Sequence, residues 1–304
     1  MANRRELVKR RRATTNIRKI TRTMQLIATA QFQAAFNRAV AGRPYADKLA
    51  EMVSDLARAA RDIEHPLMAM NEDAPARALV VLTSNRGLCG GYNAHVLRRA
   101  LDFIEEESQS PAELRLHMVG KKGASYFRFL GRELFEVITS IGDKPRFAEV
   151  LPLANELIAG FSAGDLASVD VAYMKFESAG RQEAVVERLL PLRGRSLKEA
   201  ASGPGEKIKS KEGQEPPAEV QYEFSPSPLE LLNTLLPATV RVRLFQFFND
   251  AAVSEHVARM VAMKAATDAA EDMIRRLTQK YNRARQTAIT MELLDIVGGA
   301  NALD

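Results

Sequence analysis

The clearest candidate for chemistry in this sequence is a glycine-rich loop, SNRGLCGG, at residues Ser84–Gly91. It follows a continuous apolar run, Ala78–Thr83, and precedes a helical pattern, which is a position where phosphate groups often bind. The loop lacks the Gly-Lys-Ser/Thr ending of a P-loop and the G-x-G-x-x-G spacing of a dinucleotide site. We therefore expect Gly87, Gly90 and Gly91 to permit a tight turn, and we expect the loop to contact another protein.

Other reactive side chains are isolated in the sequence. Cys89 is the only cysteine and has no histidine close to it in sequence, whereas a catalytic thiolate needs an activating base. We interpret it as a small buried side chain. The four histidines show no metal-ligand spacing: His65, His95, His117 and His256. We expect no catalytic residue, no cofactor and no bound metal.

The loop lies in a central segment, residues 76–193, where strand and helix patterns alternate as in an α/β sheet with helices packed on it. We expect strands at Ala78–Thr83, Leu114–Gly120, within Leu134–Ile141, near Val169–Phe176 and near Glu183–Leu192. We expect helices at Tyr92–Glu107, Lys121–Leu130 and near Phe147–Phe161. The following stretch, residues 194–220, is rich in Gly, Pro, Ser, Lys and Glu and predicts a flexible loop or insertion.

The N-terminal region predicts a long helix, because residues 1–41 contain no glycine and no proline. Its apolar positions alternate in steps of three and four, as in a heptad seam. The positions are Ala13, Ile17, Ile20, Met24, Ile27, Gln31 and Ala34. The pattern resumes after Gly42 and Pro44, so we predict a helix over residues 1–70 with a kink or short break near 42–44.

The C-terminal region, residues 226–304, predicts a second long helix. After Pro237 there is no proline, and no glycine occurs before Gly298. Its predicted seam is Val253, His256, Met260, Met263, Thr267, Ala270, Ile274, Leu277, Tyr281, Ala284, Ala288 and Met291. About five heptads exceed the three or four that indicate a coiled coil. A helix over residues 238–297 would be about 90 Å long, so we expect it to project. On this seam, His256 is predicted to be packed or hydrogen-bonded.

Both terminal regions carry more apolar side chains than one seam can bury. Residues Met24–Phe36 read MQLIATAQFQAAF, and residues Ile289–Leu303 are likewise apolar on more than one face. A helix that is hydrophobic on all sides is normally buried, and an exposed apolar patch indicates a partner site. We expect another protein to surround the far end of the helical pair.

Charge is concentrated at the start of the chain, which has 304 residues and a formal net charge of +5. Residues 1–22 hold nine basic side chains and one acidic side chain, Glu6, and the remainder is slightly acidic. Such a segment suggests an anionic partner, namely nucleic acid, a membrane surface or an acidic protein, and a solvated helix start is the alternative. No apolar stretch approaches about 18 residues, so we expect no membrane span.

Taken together, these segments resemble the gamma subunit of F-type ATP synthase, the central rotor shaft, over nearly the whole chain. The matching segments are IRKITRTMQLIATAQ (Ile17–Gln31), GRPYA (Gly42–Ala46), SNRGLCGGYN (Ser84–Asn93), Ser254–Ile274 and Tyr281–Leu303. Three features depart from the family's pattern. Asn85 stands where the family usually has Asp, Arg10–Arg12 replace an apolar residue, and Phe32–Phe36 replaces a Lys/Arg-rich segment. The 194–220 stretch also looks longer than usual.

The resemblance implies an antiparallel coiled coil of the N- and C-terminal helices with a Rossmann-like α/β domain at its foot. The tip of this shaft would enter a ring of alternating alpha and beta subunits, which carry the nucleotide sites. The foot would rest on the epsilon subunit and the membrane c-ring. The chain would then transmit torque without bond chemistry, couple proton flow to ATP synthesis, and regulate ATPase activity and proton flow.

The resemblance also assigns roles to individual positions. It implies bearing contacts with the beta subunits for Met24, Arg259, Arg285, Gln286, Thr290 and Glu292. It places Gly87, Leu88, Gly90 and Gly91 in the foot near epsilon and the c-ring. For every one of these residues, coiled-coil packing or solvation is the alternative.

Two other classes of protein fit parts of the sequence. A nucleic-acid-binding coiled coil would show basic residues along one helical face or aromatic stacking groups, and an α/β enzyme with helical arms would need a polar constellation near the loop. The sequence shows neither, so we expect no nucleic acid partner. Because the family match begins within about the first ten residues, we expect no organelle leader. We expect a peripheral protein on the cytoplasmic side of a bacterial inner membrane.

Overall fold

The computed structural model describes the backbone of residues 4–59, 65–71, 73–108, 111–192 and 227–301. Its elements are α1 (Arg4–Ala59), β1 (Ala76–Leu82), α2 (Tyr92–Glu106), β2 (Glu113–Val119), α3 (Lys121–Phe129), β3 (Glu136–Ile138), α4 (Phe147–Ser162), β4 (Leu166–Ser178), β5 (Arg181–Leu190) and α5 (Pro228–Asn301). The chain divides into two compact units, one of residues 1–30 and 259–304 and one of residues 31–258. The predicted insertion at 194–220 lies outside the described residues.

The larger unit, residues 31–258, contains a five-stranded sheet in the order β3-β2-β1-β4-β5. The first four strands run parallel and β5 runs antiparallel to β4. Each predicted strand and helix of the central segment is present within a few residues of its expected position. The Rossmann-like α/β prediction is therefore confirmed.

Both faces of the sheet are covered, and β1 shows how the sequence divides them. Leu79 and Val81 point into a core with the apolar faces of α2 and α3. Ala78 and Val80 point into a second core that contains α4 together with parts of α1 and α5. Because successive side chains of a strand point to opposite faces, the uninterrupted apolar run of β1 reflects burial on both sides, as in other parallel sheets.

One buried ion pair joins the two strands of the antiparallel edge. The guanidinium of Arg188 on β5 lies 2.9 Å from a carboxylate oxygen of Asp170 on β4, and Ser168 Oγ donates to the other oxygen at 2.9 Å. Burial raises the pKa of Asp170, and the bonds from Arg188 and Ser168 oppose that shift. Since the pKa of Asp170 is raised in the folded state, its contribution to the free energy of unfolding is lost as the pH rises through that folded-state pKa.

The two long helices continue through their prolines. α1 runs through Gly42 and Pro44 as one helical element, where the sequence allowed either a kink or a short break. α5 begins at Pro228 and includes Pro237, so it lies within the predicted 226–304 region and is longer than the 238–297 stretch that lacks proline. A proline inside a helix removes one backbone hydrogen bond. Here Leu232 and Leu236 are buried in the core, and their packing offsets that loss.

In the smaller unit, α1 and α5 pack through small and hydroxylated side chains. Thr267 Oγ1 lies 2.8 Å from Thr21 Oγ1, and both threonines are buried. Thr14 Oγ1 contacts Met273 Sδ at 3.7 Å. At the edges of this seam, the Arg11 guanidinium lies 5.4 Å from the Tyr281 ring centroid. Thr14 and Thr21 pair with later and earlier parts of α5 respectively, which confirms the antiparallel arrangement.

The seam on α5 is the predicted one, whereas the seam on α1 is not. Met263, Thr267 and Ala270 are buried as expected, although Met291 is exposed. On α1 the buried residues follow a seven-residue repeat one position later than predicted: Leu7, Thr14, Thr21, Ala28 and Ala35. The prediction placed the bulkiest apolar residues inside. The structure instead uses small side chains, which let the two helices approach closely, and leaves Ile17, Ile20 and Ile27 exposed.

This shift predicts a large effect of substitution at a buried position of α1 and a small effect at an exposed one. Ala28 is 0% exposed and Ile20 is 61% exposed. We expect Ala28→Leu to lower the local free energy of opening of α1 by about 1–3 kcal/mol, since extra volume strains a packed seam. We expect Ile20→Gln to change it by less than about 0.5 kcal/mol. Hydrogen exchange of the α1 amides measures both values. A larger loss of stability in Ile20→Gln than in Ala28→Leu would support the seam that was predicted from the sequence.

Candidate functional site

The glycine-rich loop is built around the start of α3. The first three amides of this helix all bond to residues that follow β1: Lys121 N–H donates to Asn85 Oδ1, Lys122 N–H to the Ser84 carbonyl, and Gly123 N–H to Thr83 Oγ1, each at 3.1 Å. Helix-starting amides have no partner within their own helix, so these bonds satisfy them. Because these three N–H groups already have acceptors, they are not available to bind a phosphate.

Two glycines make this close approach possible. Gly120 has φ +95, and a Cβ at this position would lie 2.2 Å from the Thr83 carbonyl oxygen. A Cβ at Gly123 would lie 2.6 Å from Thr83 Oγ1. Both positions therefore require glycine, since real Cβ atoms do not approach other atoms so closely. The sequence pattern indicated the glycines of the loop, but it gave no signal for these two, because their partner Thr83 is distant in sequence.

Asn93, at the start of α2, closes the other end of the loop. Its Oδ1 accepts the Ser84 N–H at 3.0 Å, and its Nδ2 donates to Ser84 Oγ at 2.8 Å. Cys89 is 2% exposed and contacts both residues, with its Sγ 3.3 Å from Asn93 Nδ2 and 3.7 Å from Ser84 Oγ. Neither neighbour is a base that could activate a thiolate. The interpretation of Cys89 as a small buried side chain is confirmed.

The outer part of the loop presents a strained, exposed apolar side chain. Leu88 has φ 64 and is 58% exposed, and Gly90 has φ 56. Leucine rarely adopts this left-handed conformation, and strain of this kind concentrates at functional positions. Gly87 is half-buried beside the Lys122 side chain, and Gly91 is exposed at the start of α2. The four residues predicted for the foot therefore lie together in this loop, and Leu88 presents the exposed apolar side chain among them.

An open groove of about 800 Å³ lies beside this loop and carries excess positive charge. Its basic side chains are Arg38, Arg86, Lys121, Lys144 and Arg146, against two acidic ones, Asp143 and Glu149. Arg86 pairs with Asp143 at 3.3 Å. The groove suits contact with an acidic surface more than an apolar ligand.

Three side chains that are far apart in sequence come together at the β2–β3 edge of the sheet. His117 Nδ1 lies 3.2 Å from Glu136 Oε2, because these two residues are register partners on neighbouring strands. Glu156 brings a third possible ligand atom, all three lying within 4.8 Å of one another. Spacing along the chain could not reveal this cluster, since it arises from strand pairing and from a helix packed above the strands.

The predicted bearing residues do not form one cluster. Met24 is half-buried, whereas Arg259 is 7% exposed. The other four are exposed on the last turns of α5: Arg285, Gln286, Thr290 and Glu292. Arg259 and Arg285 are 26 positions apart, or about 39 Å along a helix. The structure thus separates one buried arginine from an exposed polar group near the end of α5.

Large apolar side chains are exposed on both α1 and α5. On α1, Ile17, Ile20 and Ile27 face away from the seam. On the end of α5, six large apolar side chains are exposed: Ile289, Met291, Leu293, Leu294, Ile296 and Val297. Among the described residues, no helix combines the length and the apolar character that a bilayer crossing requires. Each of these two apolar surfaces has the character of a protein-binding site.

Comparison with known sequences gives full-length matches. The sequence model of a family described as ATP synthase matches residues 3–303. The ATP synthase gamma chain of Rhodopirellula baltica is 43% identical over 304 residues, covering 100% of both chains. That of Frankia casuarinae is 41% identical over 303 residues, covering 98% of this chain and 97% of that one.

Solved structures of low sequence identity share the fold. A chain of the Euglena gracilis mitochondrial ATP synthase has a TM-score of 0.63 and 16% identity, covering 99% of this chain and 94% of that one. A chain of the central stalk and c-ring structure from Tetrahymena thermophila has a TM-score of 0.57 and 20% identity, covering 81% and 99%. Together with the full-length sequence matches, these findings establish that the chain belongs to the family of ATP synthase gamma chains.

Proposed function

We propose that this chain is the rotating central shaft of an F-type ATP synthase. It transmits torque between the membrane c-ring and the head of alpha and beta subunits, and it thereby couples proton flow to ATP synthesis and regulates ATPase activity and proton flow. The observation that carries this proposal is the exposed isoleucine face of α1 on a helical pair whose seam is already filled by small side chains. Such a face needs a covering partner.

The chemistry of that face suits a bearing. Apolar contacts are non-directional, so a partner can slide across them without breaking a fixed set of bonds. Hydrogen bonds depend on angle and distance, and a shaft held mainly by them would stop at one orientation. Ile17, Ile20 and Ile27 therefore fit a surface that turns inside a collar of alpha and beta subunits.

The bearing contacts are proposed for the residues that the family resemblance indicates. Met24 lies at the border between the seam and the exposed isoleucine face. Arg285, Gln286, Thr290 and Glu292 are exposed and can reach beta subunits directly. Arg259 is largely buried, so its contact is restricted to the small exposed part of its side chain.

The loop that includes Gly87, Leu88, Gly90 and Gly91 is proposed as a protein contact in the foot, with epsilon and the c-ring as partners. Support for a contact comes from the exposed Leu88 side chain and its left-handed backbone. The same loop offers no free helix-starting amides at α3 for a nucleotide phosphate. We infer that this chain carries no catalytic residue and needs no cofactor.

The proposed location is the cytoplasmic face of a bacterial inner membrane, where the chain is held peripherally through the complex. The full-length similarity to the ATP synthase gamma chains of Rhodopirellula baltica and Frankia casuarinae supports a place in the complex, and the proposed contact with the c-ring would hold the chain beside the membrane. Fractionation of cells followed by salt washing of the membranes tests it. Recovery of the chain away from the membranes, with alpha and beta subunits still attached to them, would contradict it.

Co-purification tests the proposed function. We expect the tagged full chain, isolated from detergent-solubilised membranes, to recover alpha and beta subunits with ATPase activity. An untagged strain is the control for non-specific recovery. Recovery of nucleic acid without these subunits would overturn the proposal, because it would return the basic N-terminal segment to a nucleic-acid-binding role.

Met24→Lys tests the bearing. A charge placed at the edge of an apolar sliding surface should bind a partner carboxylate and hold the shaft in one orientation, so we expect less proton pumping per ATP hydrolysed. The midpoint of thermal unfolding should stay within about 2 °C. Met24→Leu, which keeps size and polarity, should pump normally. Normal pumping by both variants would remove Met24 from the bearing.

Leu88→Cys tests the partner of the loop. In the assembled complex, we expect a short bifunctional thiol–amine reagent to join this position to epsilon or to the c-ring. The unsubstituted chain is the control, since its only cysteine, Cys89, is buried. Cross-links to beta subunits instead would contradict the assignment of the loop to the foot.

A further inference from the structure

The connection between β3 and α4, residues 139–146, touches both the glycine-rich loop and α5. From the loop, Asn85 Nδ2 lies 3.0 Å from the carbonyl oxygen of Ile141. From α5, His256 Nε2 lies 3.2 Å from the carbonyl oxygen of Asp143. One short segment thus joins the loop to the long helix through two polar side chains.

The contacts of Asn85 require an amide. Its Nδ2 faces two carbonyl oxygens, Ile141 at 3.0 Å and Thr139 at 3.5 Å, and its Oδ1 accepts the Lys121 N–H. Rotating the amide by 180° would place oxygen against carbonyl oxygen and NH₂ against N–H, so the orientation follows from the bonding pattern. An aspartate, which is the usual residue of the family here, would accept from Lys121 but could not donate to the two carbonyls.

His256 makes the matching contact from α5. The side chain is 0% exposed, and its neighbour on this contact is a carbonyl oxygen, which only accepts hydrogen bonds. Nε2 must therefore carry the proton. A buried donor of this kind is costly to leave without a partner, so the bond holds the ring and the Asp143 carbonyl in a fixed relation.

The segment that receives both bonds is itself held in place. Ile141 is buried in the core shared by α4, α5 and the sheet. Arg86 and Asp143 add an ion pair at 3.3 Å, but the Arg86 side chain is mostly exposed, so water and salt weaken it. Asn85 and His256 therefore provide the stronger directional links.

We propose that Asn85 and His256 are positioning residues that fix the orientation of the glycine-rich loop relative to α5. This proposal rests on the proposed function, in which the loop contacts a partner and α5 is part of the shaft. Apolar packing resists separation but is non-directional, whereas hydrogen bonds specify angle and register. The two bonds let the loop and the helix turn as one body when torque passes between them.

A spin label on the full chain tests the fixed loop without depending on the assembled enzyme. Leu88→Cys carries the label, since native Cys89 is buried. We expect Asn85→Asp and His256→Leu each to raise the mobile component of the spectrum about fivefold, the change that loss of one hydrogen bond gives. His256→Gln, which can still donate to the Asp143 carbonyl, should restore the immobile spectrum. Unchanged spectra for Asn85→Asp and His256→Leu would overturn the proposal.

Arg188→Met is the matched control, because it disturbs the buried Asp170 pair on β4 and β5 and leaves the loop contacts intact. A rise in label mobility in this variant equal to that in Asn85→Asp would overturn the proposal, since general loosening would then explain the effect. A second readout uses the assembled complex without the label. Proton pumping per ATP hydrolysed should fall in His256→Leu and recover in His256→Gln.

The two proposals fail in different ways. If the unsubstituted chain does not recover alpha and beta subunits, the proposed function fails whatever the spin labels show. If the complex assembles and the loop is mobile in His256→Leu, yet pumping per ATP stays normal, the positioning role is overturned while the shaft function stands.

Discussion

The close packing of α1 against α5 through threonine and alanine determines what the rest of the shaft presents to its surroundings. A helix buries one stripe against one partner, and here small residues occupy that stripe, with Thr21 against Thr267 at its centre. The large isoleucines of α1 are consequently left outside. The shaft obtains its own cohesion from small side chains and keeps its bulkiest apolar side chains for another protein.

In the larger unit, α5 is held by two kinds of interaction. Between Leu232 and Ala251, the apolar side of α5 is buried in the core beneath the sheet. Further along, its polar side chains make specific bonds to that unit: Ser254 Oγ donates to the Met174 carbonyl at 3.1 Å, and His256 bonds to Asp143. Within this unit, α5 is therefore held both by apolar packing and by directional hydrogen bonds. A helix that must resist twisting against its base needs both.

The sequence predicted the central fold well because its signals are local. Alternating strand and helix patterns gave all five strands and three helices, since β1 and its neighbours are bounded by turn residues that can be read directly. The seam of α5 could also be predicted, because its buried positions are mostly apolar. For α1 the strongest apolar repeat marks the outer face, so hydrophobicity alone selected the wrong stripe. The seven-residue repeat of Thr14, Thr21, Ala28 and Ala35 was the available signal for the correct one.

Contacts between distant segments could not be predicted from the sequence. Nothing near Asn85 in sequence indicates Ile141 as its partner, and nothing near His256 indicates Asp143. The glycines at 120 and 123 likewise depend on Thr83, which follows β1 and is about 40 positions away in sequence from Gly123. Sequence patterns gave the position of the loop, whereas the reasons for its residue types lie in packing across the carboxyl ends of the strands.

Several basic side chains at the start of the chain are already paired within the protein. Arg10 pairs with Glu6 at 2.6 Å, and Arg11 stacks on Tyr281 of α5, so neither is wholly available to a collar. Arg18 lies 3.6 Å from Glu271, again across the helical pair. Part of the positive charge that suggested an anionic partner therefore serves contacts within the smaller unit. Arg12, exposed on α1, is the member of Arg10–Arg12 best placed to meet an external carboxylate. Because exposed ion pairs contribute little, the apolar face beside it must supply most of the binding free energy.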